Sequence, residues 1–287
     1  MTDGSQAHKT LFCQTFIDSH RAFEPRDLPW PELDSTTIDR LRSIPFWEVA
    51  LRAERNAGVM VSRFADSLED PLVREAMAVQ GVEEMRHGRL LAVMLERYGI
   101  EVRDEPQAVV DSSERSFIDF GYEECIDSFF GFGIFGLARQ IQLFVPQLTD
   151  IFEYVLLEEA RHVTFFVNWI AYERVRRGRG WKIAQAFSTA LGYARALRRI
   201  AVSFGPAAKP KEKVEGVGFA AEGAFAMFDG ITWRDFLRSC VSENDRYLAE
   251  MHPDLARPTV LPTIARALLA LPSRRIFSFS KPASTRA

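Results

Sequence analysis

Cysteine is scarce: the 287 residues carry three, Cys13, Cys125 and Cys240, and no two of them form a Cys-x-x-Cys pair. That excludes a rubredoxin-type iron site, and isolated thiols fit a reducing cytoplasm. Net charge is also small, at -3 with a pI near 6.0, so composition gives no general reason to bind nucleic acid or an acidic membrane. Long apolar runs are missing. Stretches such as 128–138 fall far short of the ~20 residues a spanning helix needs, and residues 1–14 lack the basic-then-apolar order of a signal peptide. There is no nucleotide-cradling glycine loop, no Ser-His-Asp order and no aromatic-basic RNA surface. The expectation is a soluble cytoplasmic protein with no membrane span and no nucleic-acid partner. Its length suits one large domain, or one domain with an appended part.

What is present is a repeat. The chain spells Glu83-Glu84-Met85-Arg86-His87 and later Glu158-Glu159-Ala160-Arg161-His162. On a helix, residues three apart share a face, so Glu84 with His87, and Glu159 with His162, can each aim two ligand atoms at one point. A lone Glu-x-x-His is ordinarily a solvated helix face; two copies in matched surroundings point to a metal site. The match extends outward, since Pro71 precedes Glu84 by the same interval as Pro146 precedes Glu159. Each proline suits a first helical turn, where its missing N–H is not needed.

Apolar periodicity places four long helices. The first is expected from Pro45 to Leu68, with Trp47, Leu51, Glu54, Gly58, Val61, Ala65 and Leu68 on one face. Glu54 is the odd member of that stripe, and a carboxylate there must be paired or coordinating; a salt bridge to a neighbouring arginine is the alternative. The second runs from Pro71 to about Tyr98, with Met77, Gln80, Glu84, His87 and Leu91 on its site face and Arg74, Arg86, Arg89 and Arg97 on the other sides. Residues 99–113 lack helical period. At about 3.3 Å each, ~15 extended residues reach about 50 Å, enough to pass a helix of about 28 residues.

The third helix is expected from Glu114 and is rich in phenylalanine. Its acids are Glu123, Glu124 and Asp127; the face through Glu124 is otherwise apolar and small, which selects Glu124 as ligand. Asp127, one turn on, is an extra ligand or a supporting acid, and Glu123 is the alternative. Gly131, Gly133 and Gly136 weaken this helix by up to ~1 kcal/mol each, for close packing or to leave room for a substrate. The fourth helix runs from Pro146 or Asp150 to Arg177, carrying Phe152, Glu159, His162, Phe166 and Trp169 on one face. The cations that follow it compensate the helix dipole or dock an acidic electron carrier.

Glu54, Glu84-x-x-His87, Glu124 and Glu159-x-x-His162 resemble the ligand set of the ferritin-like di-iron carboxylate superfamily, which includes rubrerythrins, ribonucleotide reductase small subunits, acyl-carrier desaturases and arylamine N-oxygenases. The resemblance covers roughly residues 43–177. It implies an all-α, ferritin-like four-helix bundle with a long crossover between the second and third helices. It also implies two iron ions, or iron with manganese, held by those six residues. Glu83 and Glu158 occupy positions where the family often has an Asp that holds the opposite histidine; a surface salt bridge with Arg86 or Arg161 serves equally. Leu91 stands where a reductase small subunit would place its radical tyrosine, and the cysteine-ligated iron of rubrerythrin is missing.

The expected organisation is an N-terminal arm over 1–42, unreadable apart from one short helix near Leu11–His20, the bundle over 43–180, a helical extension over 181–272 and a disordered tail over 273–287. The extension is read as an amphipathic helix over Trp181–Phe204, with Ile183, Phe187, Leu191, Ala194 and Leu197 against Arg195, Arg198 and Arg199. A flexible linker over 205–217 and helices near 218–229, 232–250 and 258–270 follow. These cover the bundle, form a homodimer contact or act as a lid. The function expected is an O2-activating oxygenase or oxidase that takes electrons from a separate donor such as a ferredoxin or reductase. Its substrate is a small apolar or aromatic molecule, in a pocket walled by Met77, Leu91, Phe120, Gly131, Phe135, Phe152 and Phe166; the same side chains also serve as plain core. The alternative is a ferritin- or rubrerythrin-like protein that binds iron or removes peroxide without an organic substrate.

Overall fold

The computed structural model describes residues 4–44, 47–103, 109–204 and 231–272, with backbone only over 201–204. Among the described residues the chain is all-helical, without a strand. Helix α1 spans Gln6–Asp18, and Ser5 caps it by accepting from the His8 N–H. A 3-10 turn at Pro25–Asp27 leads to α2, Ser35–Ser43, capped by Asp34. The arm is therefore more ordered than the prolines at 25, 29 and 31 suggest.

The four long helices are α3 (Trp47–Asp66), α4 (Pro71–Arg97), α5 (Glu114–Gln140) and α6 (Pro146–Arg176). The expected start of α3 at Pro45 lies outside the described residues. Asp70 caps α4 through the Leu72 and Val73 N–H groups, with Pro71 in the first turn. Gly99, at φ +59°, ends it, which lets the Ile100 N–H reach the Leu95 carbonyl at 2.9 Å. Three further helices follow: α7 (Lys182–Phe204), α8 (Trp233–Ala249) and α9 (Val260–Ala270). Thr232 and Asp235 form a capping box on α8. The expected linker at 205–217, the helix at 218–229 and the tail from 273 lie outside the described residues.

Side-chain pairing fixes the helix directions. Gly58 meets Met85 and Gly81 meets Ser62, so α3 and α4 run antiparallel at a separation no Cβ at either glycine would fit. Gly121 meets Phe166, and Phe135 meets Phe152, so α5 and α6 are antiparallel as well. Between α4 and α6, Glu83 pairs with His162 and His87 with Glu158, again antiparallel. Helix α8 lies along α5 in parallel, with Phe236 on Phe130, Cys240 at Gly133 and Glu243 at Gly136. Of the four α5 glycines, Gly121, Gly133 and Gly136 thus serve close packing; beside Gly131 there is open space.

The apolar core is in two parts. One gathers Met60, Phe64, Met77, Phe117, Phe166 and Trp169, and the other Leu51, Leu91, Met94, Phe129, Leu148 and Phe152. Between them, on α3, α4, α5 and α6, lies a single polar layer.

Candidate metal centre

That layer contains every residue in the repeated pentads except Met85 and Ala160. Glu84 and His87 project from α4, Glu159 and His162 from α6, Glu54 from α3 and Glu124 from α5. Their ligand atoms form two groups, Glu54, Glu84, His87 and Glu159, and Glu84, Glu124, Glu159 and His162; within each group the atoms lie within 4.8 Å of one another. Glu84 and Glu159 belong to both.

The distances show how the groups converge. His87 Nδ1 lies 3.1 Å from Glu159, 3.5 Å from Glu54 and 3.8 Å from Glu84. His162 Nδ1 lies 3.1 Å from Glu84 and 3.7 Å from Glu159. The two imidazole centroids are 5.6 Å apart. Among the described residues neither Nδ1 makes a well-formed hydrogen bond, and Glu124 Oε2 is likewise buried and orphaned. Buried polar atoms are rarely left so. Atoms aimed at a common point and satisfied by nothing in the chain suit a cation there.

The far ring nitrogens are held. His87 Nε2 is 2.9 Å from Glu158, and His162 Nε2 is 2.8 Å from Glu83. A carboxylate on Nε2 places the proton there and leaves the Nδ1 lone pair for a ligand bond. Each pentad therefore supplies the acid that orients the other pentad's histidine. The salt-bridge alternative is also realised, because Arg86 donates to Glu158 and Arg161 to Glu83, but these pairs are buried rather than at the surface. Arg86 was expected among the outward arginines of α4. It turns inward because buried Glu158 needs a counter-charge, and the Phe23 ring covers its guanidinium at 4.1 Å.

The N-terminal arm closes this side, a role that sequence gave no sign of. Arg161 donates to the Ser19 hydroxyl at 2.9 Å and the Phe16 carbonyl at 2.7 Å, and stacks on the Phe16 ring. His20 Nδ1 lies 2.6 Å from Glu83. Gln80 donates to Glu84 at 3.2 Å. Arg86 and Arg161 stand at the same place in each pentad, and that identity was the available signal. His20 left none.

The electrostatics describe a centre short of positive charge. Burial, opposed by His87 and reinforced by Glu159 and Glu84, raises the Glu54 carboxyl to about 7. Burial, then Glu159 and Glu84, raises Glu124 well above the carboxylate range. Burial opposes ionisation of Glu159, but the His162 and His87 imidazoles beside it overcome that and hold its carboxyl well below the ordinary value. Both imidazoles are pushed well up: burial works against their charge, and the surrounding glutamates outweigh it. The two groups together bring four carboxylates, Glu54, Glu84, Glu124 and Glu159, to one largely buried place.

The remaining expected residues divide. Glu123 pairs with Arg199 on α7 at 2.6 Å and points away, so Glu124 is the α5 acid in the cluster. Asp127 lies outside both groups. Solvent reaches it, yet surrounding protein and then Glu123, Glu159 and Glu54 raise its carboxyl to about 7. Met77 and Phe166 are buried in one apolar half, and Leu91 and Phe152 in the other. Phe120, Gly131 and Phe135 are partly exposed. The Glu54 side chain is 23% exposed, whereas Glu84 is sealed, so solvent approaches the layer from the side opposite the arm.

The chain matches no family model, no curated protein and no solved structure in such comparisons.

Proposed function

We propose that this protein is a non-haem di-iron, or iron and manganese, oxidoreductase that activates O2 against a small apolar or aromatic molecule. One observation carries the reading: two four-residue groups, each able to hold an ion, share Glu84 and Glu159, as residues serving a pair of ions would be shared. The helix directions support a ferritin-like bundle. With α4 and α5 both antiparallel to α6, they run parallel to each other, as the second and third helices of such a bundle do; residues 104–108 of the expected crossover lie outside the described residues.

When bound, the metal pair would supply a reducible centre for O2. The chain's own residues do the rest. Glu54 and His87 would help hold one ion, and Glu124 and His162 the other. Glu158 and Glu83 keep both imidazoles in one tautomer. The arm, with Phe16 and Phe23 stacked on the two buried arginines, keeps water from the histidine side. Beside Gly131 on α5 there is open space, and an apolar molecule held there would lie on the same helix as the partly exposed Phe120 and Phe135. Electrons come from a separate donor, since the chain has no second redox motif.

The test is O2 uptake by protein loaded anaerobically with ferrous iron. Consumption near one O2 per two irons, lost in Glu84→Ala, supports the reading. Uptake of many irons per chain would favour the storage alternative, and no O2 consumption by the loaded protein would reject the oxygenase.

A further inference from the structure

Helix α7 is amphipathic as its sequence suggests, but it is mounted the other way round from a core helix. Its inner edge is small and polar. Tyr122 occupies the space beside Gly192, Tyr193 and Ala196 are buried, and Arg195 and Arg199 reach back to Asp119 and Glu123 on α5. The apolar stripe faces out: Ile183 is 85% exposed, Phe187 72%, and Leu191 and Leu197 are exposed with them. Ala190 and Ala194 lie on the same face by helical spacing, and Trp181, 80% exposed, stands at its start.

The surrounding charge has one sign. From Arg174 to Arg199 the chain carries eight Lys and Arg and no acid, within a protein of net charge -3. Some of these cations are occupied, Arg176 and Arg177 by Glu173, for example. Arg179, Lys182 and Arg198 have no acidic partner among the described residues. Net charge had concealed this local segregation.

We infer that the outer face of α7 seats on an anionic lipid surface, with Ile183, Phe187 and Leu191 in the acyl boundary and Arg179, Lys182 and Arg198 at the headgroups. An outward apolar face with Trp at one end and basic flanks is the chemistry of a helix lying in a bilayer interface. A second copy fits less well, because two α7 faces pressed together would set unpaired cations against cations. An acidic protein would satisfy the charges without needing the apolar stripe. The seat lies one helix layer from the centre, since the α5 residue bound by Arg199 is Glu123, the neighbour of Glu124. An apolar substrate could then come from the bilayer; that consequence rests on the proposed function, whereas the seat itself does not.

The test is co-sedimentation of the full chain with phosphatidylcholine vesicles, with and without phosphatidylglycerol, across a salt series. We expect binding to the anionic vesicles that weakens with salt. Phe187→Glu/Leu191→Glu should weaken it at least tenfold and Lys182→Ala/Arg198→Ala several-fold; all four positions point outward, and circular dichroism checks the fold. Equal or absent partitioning of the wild-type chain to the two vesicle types would overturn the inference, whatever the variants do. So would undiminished binding by a folded Phe187→Glu/Leu191→Glu chain. A dimer that this variant dissociates, without vesicle binding, would assign the face to a second copy instead. Metal content, measured on the same preparation, bears only on the proposed function.

Discussion

Raising pH should destabilise the metal-free chain, and divalent metal should cancel that loss. In the folded chain the Glu54 carboxyl is raised from its ordinary 4.5 to about 7, chiefly by burial. A carboxyl raised by folding favours the fold while both states keep the proton, below about 4.5, and that contribution is lost as pH climbs to about 7. At about 1.4 kcal/mol per factor of ten, the loss is at most roughly 3 kcal/mol. Glu124 and the two histidines, also raised, act with the same sign; the histidine contributions are complete below about 6.5 and fade through their higher folded values. Glu83 and Glu159 are lowered, and their contribution is already complete above about 4.5, so they leave this window flat. At about 2–4 °C per kcal/mol, the Tm of chelator-treated protein should fall by roughly 5–10 °C between pH 5 and pH 8. Mn(II), which replaces the protons on the ligands, should raise Tm more at pH 8 than at pH 5.5. Differential scanning calorimetry of both forms at several pH values reads this directly. A metal-free Tm that is constant or rises with pH, together with a Mn(II) shift that does not grow with pH, would refute the reasoning.

Other outcomes follow from single contacts. Glu158→Gln and Glu83→Gln should each weaken metal binding about 10–100-fold, the usual loss when a histidine's outer partner is removed, as titration with Co(II) and its visible absorption would measure. His20→Ala should disturb the Co(II) position served by His162 more than the one served by His87, because His20 contacts Glu83; equal effects on both would contradict the arm's placement. Gly133→Val should cost about 1–3 kcal/mol by overpacking against Cys240, whereas Gly131→Ala, facing open space, should stabilise α5 by about 0.5–1 kcal/mol. Urea unfolding separates the two.

Much of this was legible in the sequence because helical spacing carries it. The pentads, the prolines ahead of them and the solitary Glu54 in an apolar stripe all encode geometry through the 3.6-residue period, and the structure gathers Glu54 and the Glu-x-x-His residues of both pentads into one layer. The small apolar face around Glu124 favoured it in the sequence but left Glu123 and Asp127 as alternatives, because all three fall on neighbouring turns of one helix. What spacing cannot carry is contact between distant segments. His20, Ser19 and Phe16 meet the pentad partners only through tertiary packing of α1, and no local pattern marks them. The direction of Arg86 depends on Glu158, 72 positions away. Helix α7 showed its amphipathicity but not its orientation, since period alone does not say which side meets protein. The glycines of α5 had two readings, and α8 decided for two of them by packing against Gly133 and Gly136.

The most direct test of the central claim is elemental analysis of protein purified without chelator, alongside Glu84→Ala/Glu159→Ala. We expect about two irons, or one iron and one manganese, per chain and their loss in the variant, because both ligand groups need the same two carboxylates. Wild-type protein with no bound metal, and with no uptake of ferrous iron under anaerobic conditions, would contradict the account and leave the polar layer a purely structural network.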